Sequence, residues 1–195
     1  MLISRILFPI TSLGPGNRLV IWTQGCSNHC PNCASPELQP FDQSKRIAPK
    51  KLFDLIKANV NSQLVDGITI TGGEPLQQPM DELLELLTML NTITPDIIIY
   101  TGYPYKDLRS ILGEDAFKSL CNNINVMIAG PYIDKLNDSS LTLKGSSNQT
   151  IHLFKMKYKD LYAEYIKRGR TIQNVYNGRE IISVGIHSKE AQANE

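Results

Sequence analysis

A chain of 195 residues with 42% hydrophobic and 20% charged residues is long enough to bury a real core and has the balance of a globular domain. Its formal net charge of +1 gives no electrostatic case for a nucleic-acid or membrane-surface partner. No apolar run approaches the roughly 18 residues of a membrane span, and the opening "MLISRILFPITSLGPG" is too interrupted for a secretory signal.

Taken in chain order, "LISRILF" (2–8) and "RLVIWTQ" (18–24) read as two strands around the loop "PITSLGPGN". A cysteine-bearing loop follows, in which Pro31, Pro36 and Pro40 exclude regular structure. Pro49 opens a helix with Leu52, Leu55, Ile56 and Val60 on one face. "GITIT" (67–71) is a short apolar strand ending at "GGEP", and residues 79–91 space Met80, Leu83, Leu84, Leu87 and Leu90 as a helix. "DIIIYT" (96–101) is a buried strand, residues 106–121 form one broken helix or two short ones, and "NVMIA" (125–129) is a further strand.

This alternation predicts parallel pairing with right-handed crossovers, the α/β class. Counting the strand at 18–24, the β units are too few for a closed eight-stranded barrel, so a partial, open parallel barrel or sheet is expected. Downstream, residues 130–150 read as a long polar loop and 158–169 as a helix. Residues 171–186 read as a hairpin turning at Asn177-Gly178, with a frayed tail "HSKEAQANE".

Cys26, Cys30 and Cys33 fall as C-x₃-C-x₂-C on the proline-broken loop, which can fold back so that three sulfurs meet. The lack of an export signal points to the cytoplasm, where closely spaced cysteines bind metal or do redox work more often than they pair. A four-iron cluster takes one thiolate per iron, so three cysteines leave one iron open to a small molecule. A zinc site competes, with His152 or His187 as a distant fourth ligand, because His29 adjoins Cys30 and neighbouring side chains diverge. Cys121, near Phe117 and Leu120, reads as a small core hydrophobe.

In "TGGEP", Gly72 and Gly73 let the backbone approach a ligand, and Glu74 can hold an ammonium group by a charge-assisted hydrogen bond.

C-x₃-C-x₂-C followed by "GGEP" at a strand end resembles the radical S-adenosylmethionine (SAM) enzymes. The resemblance implies a [4Fe–4S] cluster in loop 25–36, held by Cys26, Cys30 and Cys33. Its open iron chelates the methionine part of SAM, and one electron then yields a 5′-deoxyadenosyl radical. It also implies SAM contacts around Asn32, Cys33 and Ala34, at Gly72, Gly73, Glu74 and Pro75, and at Thr101, Gly102 and Tyr103.

"GPGNRLVIWTQGC", "YTGYPYKDL" and "GPYIDKL…LTLKGSSNQTIH" are further similar to the activating proteins of anaerobic ribonucleotide reductase. That likeness covers residues 1–153, the expected radical SAM core. It implies a protein substrate, the reductase, on which a glycyl radical is made, and a flavodoxin- or ferredoxin-type electron donor. Ser147, Asn148 and Gln149 join the candidate cofactor contacts, since amides and hydroxyls suit a ribose or an extended peptide. Another protein or peptide substrate, and a metal-stabilised interaction module, are the alternatives. Shorter members of the family end soon after "SSNQ", whereas residues 154–195 follow here. They are read as a helix and hairpin extension of the same domain, able to adapt the docking surface. Lys155, Lys157, Lys159, Lys167, Arg168 and Arg170 are expected to form a solvated basic face.

Overall fold

The computed structural model describes residues 1–176, 178 and 180–187. Its centre is a six-stranded sheet in consecutive order: β1 (Ile3–Ile10), β2 (Arg18–Thr23), β3 (Gly67–Gly72), β4 (Ile97–Thr101), β5 (Val126–Ala129) and β6 (Thr150–Leu153). β2 to β5 run parallel, with β1 and β6 paired antiparallel at the two ends. The expected parallel core is therefore present, flanked by two antiparallel strands. β6 lies where only the end of a polar loop was expected.

Helices make the crossovers. α1 (Pro49–Asn59) begins with Pro49 at its first turn and buries Leu52 and Ile56, while Leu55 faces solvent. α2 (Met80–Leu90) buries Leu83, Leu86, Leu87 and Leu90. The break between α3 (Leu108–Leu112) and α4 (Glu114–Asn123) falls at Gly113, whose φ of 82° suits glycine.

Strand residues alternate between two cores, as period-2 geometry requires. Leu19, Ile21, Ile68, Ile70, Ile97, Ile99 and Met127 face α1, α2 and α4. Val20, Trp22, Ile98, Val126 and Ile128 face the other way. That second face is covered by the C-terminal segment: Tyr162 and Tyr165 of α5 (Lys159–Ile166), and Val184 of a separate hairpin, β7 (Ile172–Tyr176) with β8 (Ile181–Gly185). Each fully buried Ile or Val contributes about 1.5–3 kcal/mol, so both layers matter. The hairpin stands as expected; Asn177 of its turn, and the tail from 188, lie outside the described residues. Among the described residues, no helix is long and apolar enough to cross a membrane.

Arg18, at the start of β2, is fully buried, although its position reads as an ordinary polar boundary. Its guanidinium pairs with Asp96 Oδ2 at 2.8 Å and donates to Thr69 Oγ1 at 2.7 Å and to the carbonyl of Ile68 at 2.6 Å. Asp96 Oδ1 accepts from Tyr162 Oη at 2.7 Å and Asn125 Nδ2 at 2.6 Å. Gly67 makes room for this network, since a Cβ there would stand 2.1 Å from Arg18 Nη1.

Candidate active site

A cavity of about 240 Å³ opens at the carboxyl ends of the parallel strands, where α/β folds bind ligands. Cys26, Cys30 and Cys33 all line it.

The cysteine loop is shaped by its own backbone. Gly25 turns at φ 96°, its N–H donates to Leu38 O at 2.8 Å, and the Cys26 N–H donates to Gln39 O at 2.9 Å. Gln24 Nε2 braces the far limb through Pro40 O at 2.8 Å. The residues just before the second and third cysteines, His29 (φ 45°) and Asn32 (φ 54°), are left-handed, and these two turns set the course of the loop at Cys30 and Cys33.

The Cys26 Sγ accepts a backbone hydrogen bond from the Asn28 N–H at 3.5 Å, and the Tyr132 backbone lies where it favours the Cys30 thiolate. Burial pushes both thiols up, and these backbone groups oppose it. The sulfurs share a cavity without meeting at a point. Among the described residues, no trio of Cys, His, Asp and Glu is close enough for a single metal ion. A cluster spreads its thiolates over separate irons, so a wider spacing suits it.

Of the histidines weighed as a fourth ligand, His152 stacks on Tyr105 with ring centroids 3.5 Å apart, and His29 faces Gln39. Only His187 lines the cavity.

Gly72 and Gly73 bring the end of β3 against the end of β2 and the start of the cysteine loop. A Cβ would stand 2.6 Å from Thr23 O at Gly72, and 2.4 Å from Gly25 O at Gly73. The Gly73 and Glu74 N–H groups donate to Thr23 O at 2.9 Å and Gly25 O at 2.8 Å. Glu74 is only 1% exposed yet borders the cavity. Its carboxylate accepts from the N–H of Gly102 at 2.7 Å, the N–H of Leu76 at 3.0 Å and Asn28 Nδ2 at 3.2 Å. Burial outweighs these donors and holds its carboxyl above the usual range. Glu74 thus ties the ends of β3 and β4 to the cysteine loop.

Ala34, Thr101, Gly102 and Gln149 also line the cavity. Gln149 accepts at Oε1 from the Gly145 N–H at 2.7 Å and donates from Nε2 to Gly130 O at 2.9 Å, so it anchors its own loop. Asn32, Pro75, Tyr103, Ser147 and Asn148 do not line it. Pro75 is buried at the head of a 3-10 turn, Tyr103 Oη accepts from Gln77 Nε2 at 3.0 Å, and Asn148 Nδ2 donates to Pro131 O at 2.8 Å.

The structure adds residues the motifs did not mark. Trp22 faces the cavity, with the Arg5 guanidinium 5.2 Å from its ring centroid. Tyr100 lines the cavity too, and burial pushes its phenol well up. Tyr100 Oη and Arg5 Nε are buried polar atoms with no partner among the described residues. Three soft sulfurs, a backbone donor on Cys26, and orphaned polar atoms on one cavity fit an iron–sulfur cluster with a polar ligand beside it. Residues 182–187 form a further wall, which no local motif announced.

Residues 12–152 match the protein family described as a 4Fe-4S single cluster domain. The chain is also similar to proteins named anaerobic ribonucleoside-triphosphate reductase-activating protein. Those of Salmonella typhi and Escherichia coli (strain K12) are each 32% identical over 148 residues, 71% of this chain and 90% of the relative. That of Vibrio cholerae is 28% identical over 146 residues, 72% of this chain and 90% of the relative.

Proposed function

Because the chain belongs to the 4Fe-4S single cluster domain family, and with it to the family of anaerobic ribonucleoside-triphosphate reductase-activating proteins, we propose that it is a radical SAM activase. In this reading it makes a glycyl radical on an anaerobic ribonucleoside-triphosphate reductase. The observation that carries the reading is the meeting of three half-buried cysteines, the Gly72–Gly73–Glu74 turn and Gln149 on one cavity at the strand ends.

Cys26, Cys30 and Cys33 are the cluster ligands in this proposal, and no fourth cysteine is needed. When bound, the cluster supplies the electron that cleaves the sulfonium of SAM, giving a radical able to take a hydrogen atom from glycine. Gly72 and Gly73 leave a backbone surface free of side chains beside the sulfurs. Glu74 fixes the strand ends, and its Oε1, which accepts from the Leu76 N–H at 3.0 Å, keeps capacity for a ligand's ammonium group. Thr101, Gly102 and Gln149 border the same space. Asn32, Pro75, Tyr103, Ser147 and Asn148 act from behind the cavity wall, by shaping the loops that carry its lining. Trp22, Leu13 and residues 182–187 restrict water around the reacting centre.

The same reading treats the six-stranded sheet as a partial barrel and residues 1–153 with 154–195 as one domain. It places the protein in the cytoplasm with a flavodoxin- or ferredoxin-type electron donor. The test is anaerobic cluster loading, then incubation with SAM, a reductant and the reductase. The expected result is 5′-deoxyadenosine together with a glycyl radical doublet in electron paramagnetic resonance. SAM cleavage with no doublet would reject the reductase as target.

A further inference from the structure

The family match stops at residue 152, but the cavity extends beyond what that stretch supplies. Ile182, Val184 and Gly185 of β8, then Ile186 and His187, line it together with the three cysteines. Ile182, Val184 and Ile186 alternate along the chain and so share one face. That face packs with Leu13 and Trp22 in one apolar cluster. The cavity is therefore two-sided in chemistry. Leu13, Trp22, Ile182, Val184 and Ile186 make an apolar wall, while Glu74, Thr101 and Gln149 bring polar groups from the strand ends and the loop before β6.

One side chain clasps the apolar wall to the polar loop. Arg170, just before β7, was expected on a solvated basic face; it is half-buried and fully engaged instead. Nε donates to Leu141 O at 2.9 Å, and Nη2 donates to the carbonyls of Lys144 and Gly145, both at 2.9 Å. Nη1 donates to Asn137 Oδ1 at 2.6 Å and to His187 O at 3.2 Å. Asn137 Nδ2 reaches the same His187 carbonyl at 3.3 Å. The guanidinium thus joins the end of β8 to the loop whose Gly145 lines the cavity. Only a planar fork of donors can hold so many acceptors at once.

We propose that β8 and the two residues after it, clasped by Arg170, form the specificity wall of this site and select a polypeptide with an apolar side chain beside the reacting glycine. The inference rests on the activase reading and adds which part of the chain reads the target. A charged neighbour of the glycine set against Ile182, Val184 and Ile186 would lose its water to side chains that offer no hydrogen bond. An apolar neighbour would bury surface there.

The test gives cluster-loaded protein, SAM and a reductant two peptides that differ only beside the glycine, leucine in one and lysine in the other. The ratio of their kcat/KM values is read from glycyl radical formed. The wild type should favour the leucine peptide by about tenfold or more. Ile186→Asp should lower that ratio by roughly tenfold, because the wall then rewards the lysine. Arg170→Gln should lower it as well, by releasing the clasp. A ratio cancels any general loss of folded or loaded protein, so a purely structural role would leave it unmoved. No preference in the wild type, or the same ratio in Ile186→Asp, overturns the proposal. If the wild type makes no glycyl radical on either peptide or on the intact reductase, the activase reading itself falls, and this inference falls with it.

Discussion

At Gly73 two stretches of backbone come so near that no side chain fits between them. A Cβ would stand 2.4 Å from Gly25 O, where only a shift of the cysteine loop could relieve the clash. Gly73→Ala should therefore cost about 1–3 kcal/mol in a denaturant melt and lower the iron retained per chain. Cys30→Ala should abolish retention of the cluster, read as loss of the brown colour and of iron, because two thiolates cannot replace three. His152 offers a test by pH. Burial beside Tyr105 holds its imidazole below its ordinary range, so the folded chain disfavours the proton more than the unfolded chain does. Stability should then fall as pH drops through the ordinary histidine value of about 6.5. His152→Phe should show a shallower fall between pH 7 and 5 in the urea midpoint. At this scale the sequence was informative about residue type and less so about what each residue meets. The glycines of "GGEP" read as points where backbone could approach a ligand, and in the structure the close neighbours are the Thr23 and Gly25 backbone. Glu74 read as an ammonium holder, and the structure shows it first satisfying N–H groups of Gly102 and Leu76.

At the scale of elements, the strands and helices with strong periodicity were legible because their side chains alone decide their faces. β2 to β5 and α2 lie close to where the apolar runs put them. β6 was missed because "TIHL" is short and only half-buried, so its strand character comes from pairing with β5. Arg18 was missed for a related reason. Its partner Asp96 is 78 residues away, and nothing local announces a carboxylate beneath the sheet. Asp96→Ala would leave the guanidinium buried and unpaired, and should cost roughly 3–5 kcal/mol, seen as a lower denaturant midpoint. Tyr162→Phe removes one hydrogen bond to that carboxylate and should cost about 1.5–3 kcal/mol. The graded pair would show that α5 is fastened to the sheet through Asp96.

For the whole molecule, the sheet has two apolar faces, and residues of the C-terminal segment cover one of them. Ile98, Val126 and Ile128 are fully buried, and Tyr162 and Tyr165 are among the residues that cover them. Truncation after residue 153 should expose that face and produce aggregation, or loss of a cooperative melt, rather than a smaller stable core. The helix and hairpin read from the sequence after residue 153 are both present, as α5 and β7–β8. Its contribution to the cavity depends on contacts more than 150 residues apart, such as Ser12 Oγ to Val184 O at 2.8 Å, which no window of local sequence contains. The chain has one tryptophan, and Trp22 lies on the cavity wall. Its indole emission is therefore a label-free optical gauge of that space. Quenching on iron loading, or a spectral shift on titrating a nucleotide or peptide, would report occupancy with no dye attached.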